Sequence, residues 1–478
     1  MDAPAHIPSI PPSHTHRARI NLAGVVVLLS LALFTGGSSQ QSGIGVLLLQ
    51  LAALPCLAWV AWQHLNQYAA AWPWPWKALA ITLLAIPLLQ LIPLPDSLAA
   101  TGEARTLLHT DLATFGAPAA TQATLDAHAT RGALHLLLPA LAAFGLTAAL
   151  PFAQRRQLAW AIIGLAMASL LLGILQLGAP QESALNPYPQ WRPAMNGFFA
   201  NPNHQATLLV LAGVLATGWL ATGMVRPERR QGSRIPGLVA AAAVLVLAMG
   251  ALPLTGSRAG VILFVIAVTA TVAAHASLLQ RTRPRRALLA ASAGVAGLGV
   301  FAAMRWMQVE AVRELRGPMR DATLEVAGAH APLGSGMGSF VPVFEQATAH
   351  QLLMPNYVNH AHNEYAQWLL EAGWLALPAM ALGAWALISA GRALLRLPPP
   401  ARSAGLCALI GLLAVLGHSF VDYPLRTPAL LLVAAALAGS LVAVAGEAKA
   451  TCVTKKRHNS QLGSNHVSPV AVTATGDN

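Results

Sequence analysis

Charge is scarce in this sequence: Asp, Glu, Lys and Arg make up 10% of its 478 residues, against 55% hydrophobic. A water-soluble domain of that size needs a polar shell, so that class is excluded. Cysteine is equally sparse. Of the three, Cys56 and Cys407 fall inside apolar runs and Cys452 lies beyond the last one, with no CxxC or zinc-ligand spacing. That pattern excludes a disulfide framework and a structural zinc site. Acidic residues number 17, and lysine contributes four of 29 basic residues. The net charge of +12 sits in short clusters between apolar runs and forms no basic face, which excludes nucleic-acid binding. No small-residue cleavage site follows the first apolar run, so it reads as a retained anchor. No internal repeat is evident, which argues against a transporter built from inverted halves.

Long apolar runs dominate what remains. Runs of spanning length fall at roughly 22–36, 43–63, 77–94, 133–150, 157–177, 205–222, 236–254, 259–277, 287–305, 366–388, 403–420 and 427–445. With a mean hydropathy of +0.56, they predict an all-α polytopic membrane protein of about twelve transmembrane helices. A large, partly helical outer loop, 306–365, separates the ninth and tenth spans. The expected organisation is a short cytoplasmic segment at 1–21, a membrane domain at 22–445 and a disordered cytoplasmic tail at 446–478. Twenty of the 29 basic residues, including all four lysines, fall in alternate connections and the two ends. The positive-inside bias therefore places both termini in the cytoplasm.

Nine basic residues are left on the outer side, all arginine: Arg105, Arg131, Arg192, Arg258, Arg305, Arg313, Arg316, Arg320 and Arg426. A guanidinium grips phosphate oxygens bidentately and stays charged near a low-dielectric boundary. Arginine-rich coding explains the set about as well, but less readily those inside motifs. Trp72, Trp74 and Trp76, interleaved with prolines, read as an interfacial belt at the third span. An amphipathic helix is expected around Gln308 to Val326, lying along the outer membrane surface.

Four outward polar clusters invite a chemical role. Asn359-His360-Ala361-His362-Asn363-Glu364-Tyr365 closes the long loop, and imidazoles at a membrane mouth are costly to place. A general base is sought here first, although a hydrogen-bonded cap histidine is the plainer explanation. The i, i+2 spacing of the histidines argues against a shared metal. Arg192 through His204, with Asn201 and Asn203, makes a tight entry to the sixth span; each Asn suits either a glycan hydroxyl or a helix cap. Thr255-Gly256-Ser257-Arg258 starts the eighth span and offers helix-start amides beside an arginine, a site for phosphate. In His418 through Arg426, Asp422 and Arg426 are expected to pair with each other as a structural salt bridge. The glycine-rich run 331–340 lacks a P-loop Lys-Ser/Thr and is read as a compact loop approaching a ligand or the bundle.

Read in series, these motifs resemble the O-antigen ligase and polymerase superfamily (Wzy/WaaL-like), which includes bacterial protein O-oligosaccharyltransferases. The resemblance rests on Gly-Phe-Phe-Ala-Asn-Pro-Asn-His at 197–204, Thr-Gly-Ser-Arg-Ala-Gly at 255–260, Pro-Leu-Gly-Ser-Gly-Met-Gly-Ser-Phe at 332–340, His-Ala-His-Asn-Glu-Tyr at 360–365, Glu-Ala-Gly-Trp at 371–374 and His-Ser-Phe-Val-Asp-Tyr-Pro-Leu-Arg at 418–426. It implies a metal-independent inverting transferase without cofactors. The glycan would pass from an undecaprenyl-pyrophosphate donor to an acceptor hydroxyl at the periplasmic face of the bacterial inner membrane. The acceptor would be lipid A core, protein Ser/Thr or the growing glycan. His362 is then the expected base, with Arg258 and Arg192 holding the pyrophosphate. Substrate contacts are expected from His360, Asn363, Glu364, Tyr365, Asn201, Asn203, His204, Arg320 and Arg426. The motifs leave repeat-unit polymerisation open on the same scaffold. A lipid-linked glycan or solute transporter is the competing class, disfavoured because nearly every charge lies at a helix end.

Overall fold

The structure, a computed structural model, describes residues 12–39, 43–180, 182–188, 194–225, 235–276, 278, 286, 315–348 and 358–464. Its helices are α1 (Pro12–Thr35), α2 (Ile44–Leu65), α3 (Trp74–Leu91), α4 (Asp96–Ala99), α5 (Glu103–Thr114), α6 (Ala127–Ala148), α7 (Phe152–Leu177), α8 (Pro202–Val225), α9 (Ile235–Ala251), α10 (Arg258–Ala276), α11 (Arg316–Ala329), α12 (Phe340–Ala347), α13 (Glu364–Ala372), α14 (Ala376–Leu394), α15 (Pro399–His418) and α16 (Pro428–Ser464). Eleven stretches among the described residues are long and apolar enough to cross a membrane, the helix pair α13–α14 acting as one of them. The chain is an all-α multi-pass membrane protein. Each of these eleven falls on an apolar run read from the sequence; the expected span at 287–305 and Arg192 lie outside the described residues.

Apolar side chains gain nothing from leaving lipid for other hydrocarbon, so close packing and polar cross-links hold such a bundle together. Helix α16 runs through the centre against α6, α15 and α1. Between α1 and α2, the Asn21 and Gln63 amides exchange hydrogen bonds of 3.0 and 3.2 Å, and Trp59 Nε1 donates to Asn21 at 2.8 Å. Helix α8, the most enclosed span, packs on α7, α9, α10 and α15. Its entry is bracketed by Gln176 of α7, which donates to Gly197 O at 2.8 Å and accepts from Gly197 N at 2.9 Å.

Basic residues gather at one end of the bundle, where Arg155 of α7 forms a 2.8 Å ion pair with Glu447 of α16. At the opposite end, α8 and α10 begin, α15 terminates and α16 starts, and the loop helices α11, α12 and α13 pack together. Glycine makes this possible at Gly336, whose φ of +109° and close approach to Thr124 leave no room for a Cβ. The run 331–340 approaches the bundle, with Ser335 N and Gly336 N donating to Leu370 O and Glu371 O, each at 2.9 Å. Arg105, fully buried, ties α5 to the same loop through the carbonyls of Ala99, Gln122, Ala123 and Gly334.

Two local expectations change. Trp76 is 5% exposed and Trp72 meets Phe144 edge-on at 4.7 Å, so only Trp74, 59% exposed, suits a belt. Packing on α6 outweighs interfacial preference there. Helix α11 spans Arg316–Ala329 instead of reaching only to Val326, and positions 308–314 lie outside the described residues. Helix α16 runs past position 446 to Ser464, because no proline interrupts a stretch that continues from a packed helix.

Candidate active site

At the less basic end a single carboxylate organises the polar residues. Asp422 is fully buried, and carboxylates survive burial only with donors around them. Asn201 Nδ2 donates to its Oδ1 at 3.1 Å, Asn203 Nδ2 to its Oδ2 at 2.5 Å, and the Tyr423 backbone N–H to Oδ1 at 2.8 Å. His204 Nε2 lies 3.4 Å from Oδ1, while His362 Nδ1 and the Arg316 guanidinium approach Oδ2 at 3.8 and 3.7 Å. Burial pushes the Asp422 carboxyl up, but the His204 and His362 contacts outweigh it and hold it well below the usual carboxylate range.

Local structure explains how these groups arrive. Asn201 precedes α8 and its Oδ1 accepts from Asn203 N at 2.9 Å, a cap that leaves its amide nitrogen for Asp422. Asn363 caps α13 through Ala366 N at 3.0 Å and donates to Phe420 O at 2.9 Å. The residue before that cap, His362, adopts φ 49°, a left-handed conformation that a non-glycine residue rarely takes. Such strain, of order 1–3 kcal/mol, persists where the surroundings over-determine it. Here it turns the His362 ring toward Asp422 and leaves the side chain 24% exposed.

The second histidine is held differently. His360 Nδ1 lies within 3.2 Å of the Gln367 amide, and its ring rests 4.3 Å from that of Tyr423. Burial, aided by the Arg426 charge, pushes the His360 imidazole well below its ordinary value. Tyr423 separates three imidazoles, with ring centroids 4.9 Å from His204, 4.3 Å from His360 and 5.0 Å from His362. Its phenol, pushed up to about 12 by burial and the Asp422 charge, stays protonated and bonds Asn359 at 3.2 Å.

Asp422 and Arg426 do not pair. Arg426 instead meets Glu371 at 2.7 Å inside the protein, and Gln367 Nε2 donates to the same carboxylate at 2.9 Å. The short helical turn Pro424–Arg426 carries the guanidinium away from Asp422 toward α13. Other candidates also have internal partners: Glu364 accepts from Leu425 N at 2.7 Å, Tyr365 donates to Leu416 O at 2.8 Å, and Arg320 pairs with Asp321 at 2.7 Å on the surface. Arg258 begins α10, half-buried, at the same end as the Asp422 cluster. Gly260 packs so closely on α8 that a Cβ would lie 2.5 Å from that of Ala206, which brings the starts of α10 and α8 side by side. Sequence reading missed Asp422, Tyr423, Arg316, Gln367 and Glu371 as site or supporting residues. Four of them carried a signal that was not read as a site role: Arg316 is one of the nine outer arginines, and Glu371, Asp422 and Tyr423 lie inside the motifs that carry the resemblance.

Among the described residues no group of three His, Cys, Asp or Glu is placed to hold a metal ion. Fold and site define a multi-pass membrane protein with an enclosed, histidine-lined polar centre at one end of its helix bundle. Residues 243–381 match the family model described as O-antigen ligase. The match spans less than a third of the chain; it supports the resemblance to the O-antigen ligase/polymerase superfamily and, in general terms, a membrane enzyme of glycan transfer. The matched stretch contains Arg258, His360 and His362; Asp422 and the Asn201–His204 entry lie outside it. Comparison with curated proteins gives no match.

Proposed function

We propose that this chain transfers a glycan from an undecaprenyl-pyrophosphate donor to an acceptor hydroxyl at the periplasmic face of the inner membrane, with both termini cytoplasmic. The supporting observation is the convergence on Asp422 of Asn201, Asn203, His204 and His362, from segments more than 150 positions apart. A buried carboxylate 3.8 Å from His362 Nδ1 favours a proton on that nitrogen through charge and leaves Nε2 as the base. His362 suits that role better than His360, whose ring is engaged by Gln367 and Tyr423.

In the proposed step, His362 Nε2 takes the proton from the acceptor hydroxyl as its oxygen attacks the anomeric carbon. The bond from that carbon to the pyrophosphate oxygen breaks, and undecaprenyl pyrophosphate leaves with the electron pair. Direct displacement inverts the anomeric centre. Asp422 supports the imidazolium that forms, and Arg258 with Arg192 offsets charge on the leaving group. No metal or cofactor is invoked. Support for a lipid-borne donor comes from an apolar cavity of about 440 Å³, lined among others by Leu83, Leu137, Met380, Leu387 and Leu412. It reaches Glu364 and Tyr365, two and three positions after His362 in the chain.

Membrane vesicles supplied with lipid-linked glycan test the reading. His362→Ala and Asp422→Asn should each abolish transfer while leaving the protein folded. Intact transfer in both variants sinks the mechanism, and glycan flipping without transfer to any acceptor points to transport. Loss of polymer length, of lipopolysaccharide attachment or of protein glycosylation on deletion would name the acceptor.

A further inference from the structure

His362 is aimed at Asp422 without being tied to it. Its Nδ1 is a buried atom with no hydrogen-bond partner among the described residues, and Asp422 Oδ2 stands 3.8 Å away, beyond hydrogen-bond reach. A charge at that distance attracts the ring but does not fix its plane, since Coulomb attraction lacks the angular preference of a hydrogen bond. A side chain packed on the imidazole does what the missing bond does not. The Tyr423 ring meets it edge to face, with centroids 5.0 Å apart and planes at 69°. Tyr423 is itself held in place: it is 5% exposed, the His204 and His360 rings lie 4.9 and 4.3 Å from its own, and Asn359 Nδ2 donates to its phenol oxygen at 3.2 Å. Asn359 opens the short run that ends at His362, so the phenol secures one end of that run and the ring packs on the other. The Tyr423 backbone N–H also donates to Asp422 Oδ1 at 2.8 Å, and Oδ2 is the oxygen that faces His362. One residue therefore braces both the carboxylate and the imidazole.

Resting on the proposed transfer reaction with His362 as its base, we propose that Tyr423 is the positioning residue of that base, its clamped ring setting the plane in which His362 presents Nδ1 to Asp422 and Nε2 to the acceptor hydroxyl. The effect belongs to the flat ring. Edge-to-face packing fixes an angle between two rings, which a flexible aliphatic side chain cannot do. No proton transfer is assigned to the phenol, whose partner is Asn359. A leucine at this position removes the flat wall and lets the imidazole turn about its own torsions. Misaligning a base by about 1 Å costs rate on the order of 10²-fold, and it leaves donor binding elsewhere in the site largely untouched.

The test uses membrane vesicles that hold the full chain and its native acceptor, supplied with undecaprenyl-pyrophosphate-linked glycan extracted from the same cells and read by the undecaprenyl pyrophosphate released. Tyr423→Leu should lower kcat about 10²-fold with KM for the donor within about threefold of the wild type. Tyr423→Phe, which keeps the ring and loses the bond to Asn359, should restore kcat to within about threefold of the wild type. Tyr423→Leu combined with Asp422→Asn should be little slower than the slower single variant, because both losses act through one imidazole. Wild-type kcat in Tyr423→Leu, or equal losses in Tyr423→Phe and Tyr423→Leu, overturns the assignment and leaves the transfer reading intact. So does a double variant that loses the full product of the two single losses, the mark of a merely structural role. Transfer that survives His362→Ala overturns the choice of base on which the assignment rests. Where Tyr423→Leu does not fold, Tyr423→Met, of more similar length and without a flat ring, takes its place with the same outcomes.

Discussion

Arg426 and Glu371 form a 2.7 Å ion pair in the protein interior, although Asp422, four positions from Arg426 in the chain, is the nearer acid in sequence. The choice of partner separates two carboxylates. Glu371 neutralises a cation and supports Gln367 beneath His360, and Asp422 is left for the histidines and Arg316.

Breaking that pair on one side strands a buried charge. Glu371→Ala should lower stability by about 3–5 kcal/mol, and the double change Glu371→Leu with Arg426→Met should recover most of it. Thermal unfolding of the detergent-solubilised protein measures both; a single variant as stable as wild type contradicts a buried, unrelieved pair.

Asp422→Asn keeps the shape of the side chain and removes its charge. If Asp422 orients and supports the His362 base, transfer should fall on the order of 10²- to 10⁴-fold. Donor binding should change far less, so the loss should appear in kcat more than in KM. A loss confined to KM would instead give Asp422 a binding role.

The left-handed backbone at His362 makes a prediction about stability alone. Glycine adopts φ 49° without penalty and alanine does not, so His362→Gly should be more stable than His362→Ala by roughly 1 kcal/mol. Neither should transfer glycan. Equal unfolding midpoints would mean that the conformation carries no strain.

His360 links folding to pH. Its folded value is depressed below the ordinary histidine range, so the unfolded chain binds the extra proton. Its contribution to stability is therefore present above about pH 6.5 and is lost as pH falls through that value toward the folded one. Replacing His360 by Gln should flatten unfolding temperature against pH between about 5 and 7. An unchanged slope there would remove His360 as the source.

Eleven of the expected spans were legible from sequence because a membrane helix satisfies its own backbone and needs only a continuous apolar run, a local property. The same locality marked His360 and His362 as unusual, since an imidazole at a membrane boundary stands out beside apolar neighbours. The continuation of α16 beyond position 446 was not legible, because composition reports polarity and not whether a packed helix continues into it. Partner choice was hidden as well. Arg426 turns from Asp422 to Glu371, and Asn363, Glu364 and Tyr365 spend polar atoms on neighbouring backbone. Sequence alone determined the all-α membrane architecture and the motifs that bear chemistry. Tertiary structure decided which of them meet, because a buried carboxylate takes its donors from whatever segments packing brings within about 3 Å, however distant they are along the chain.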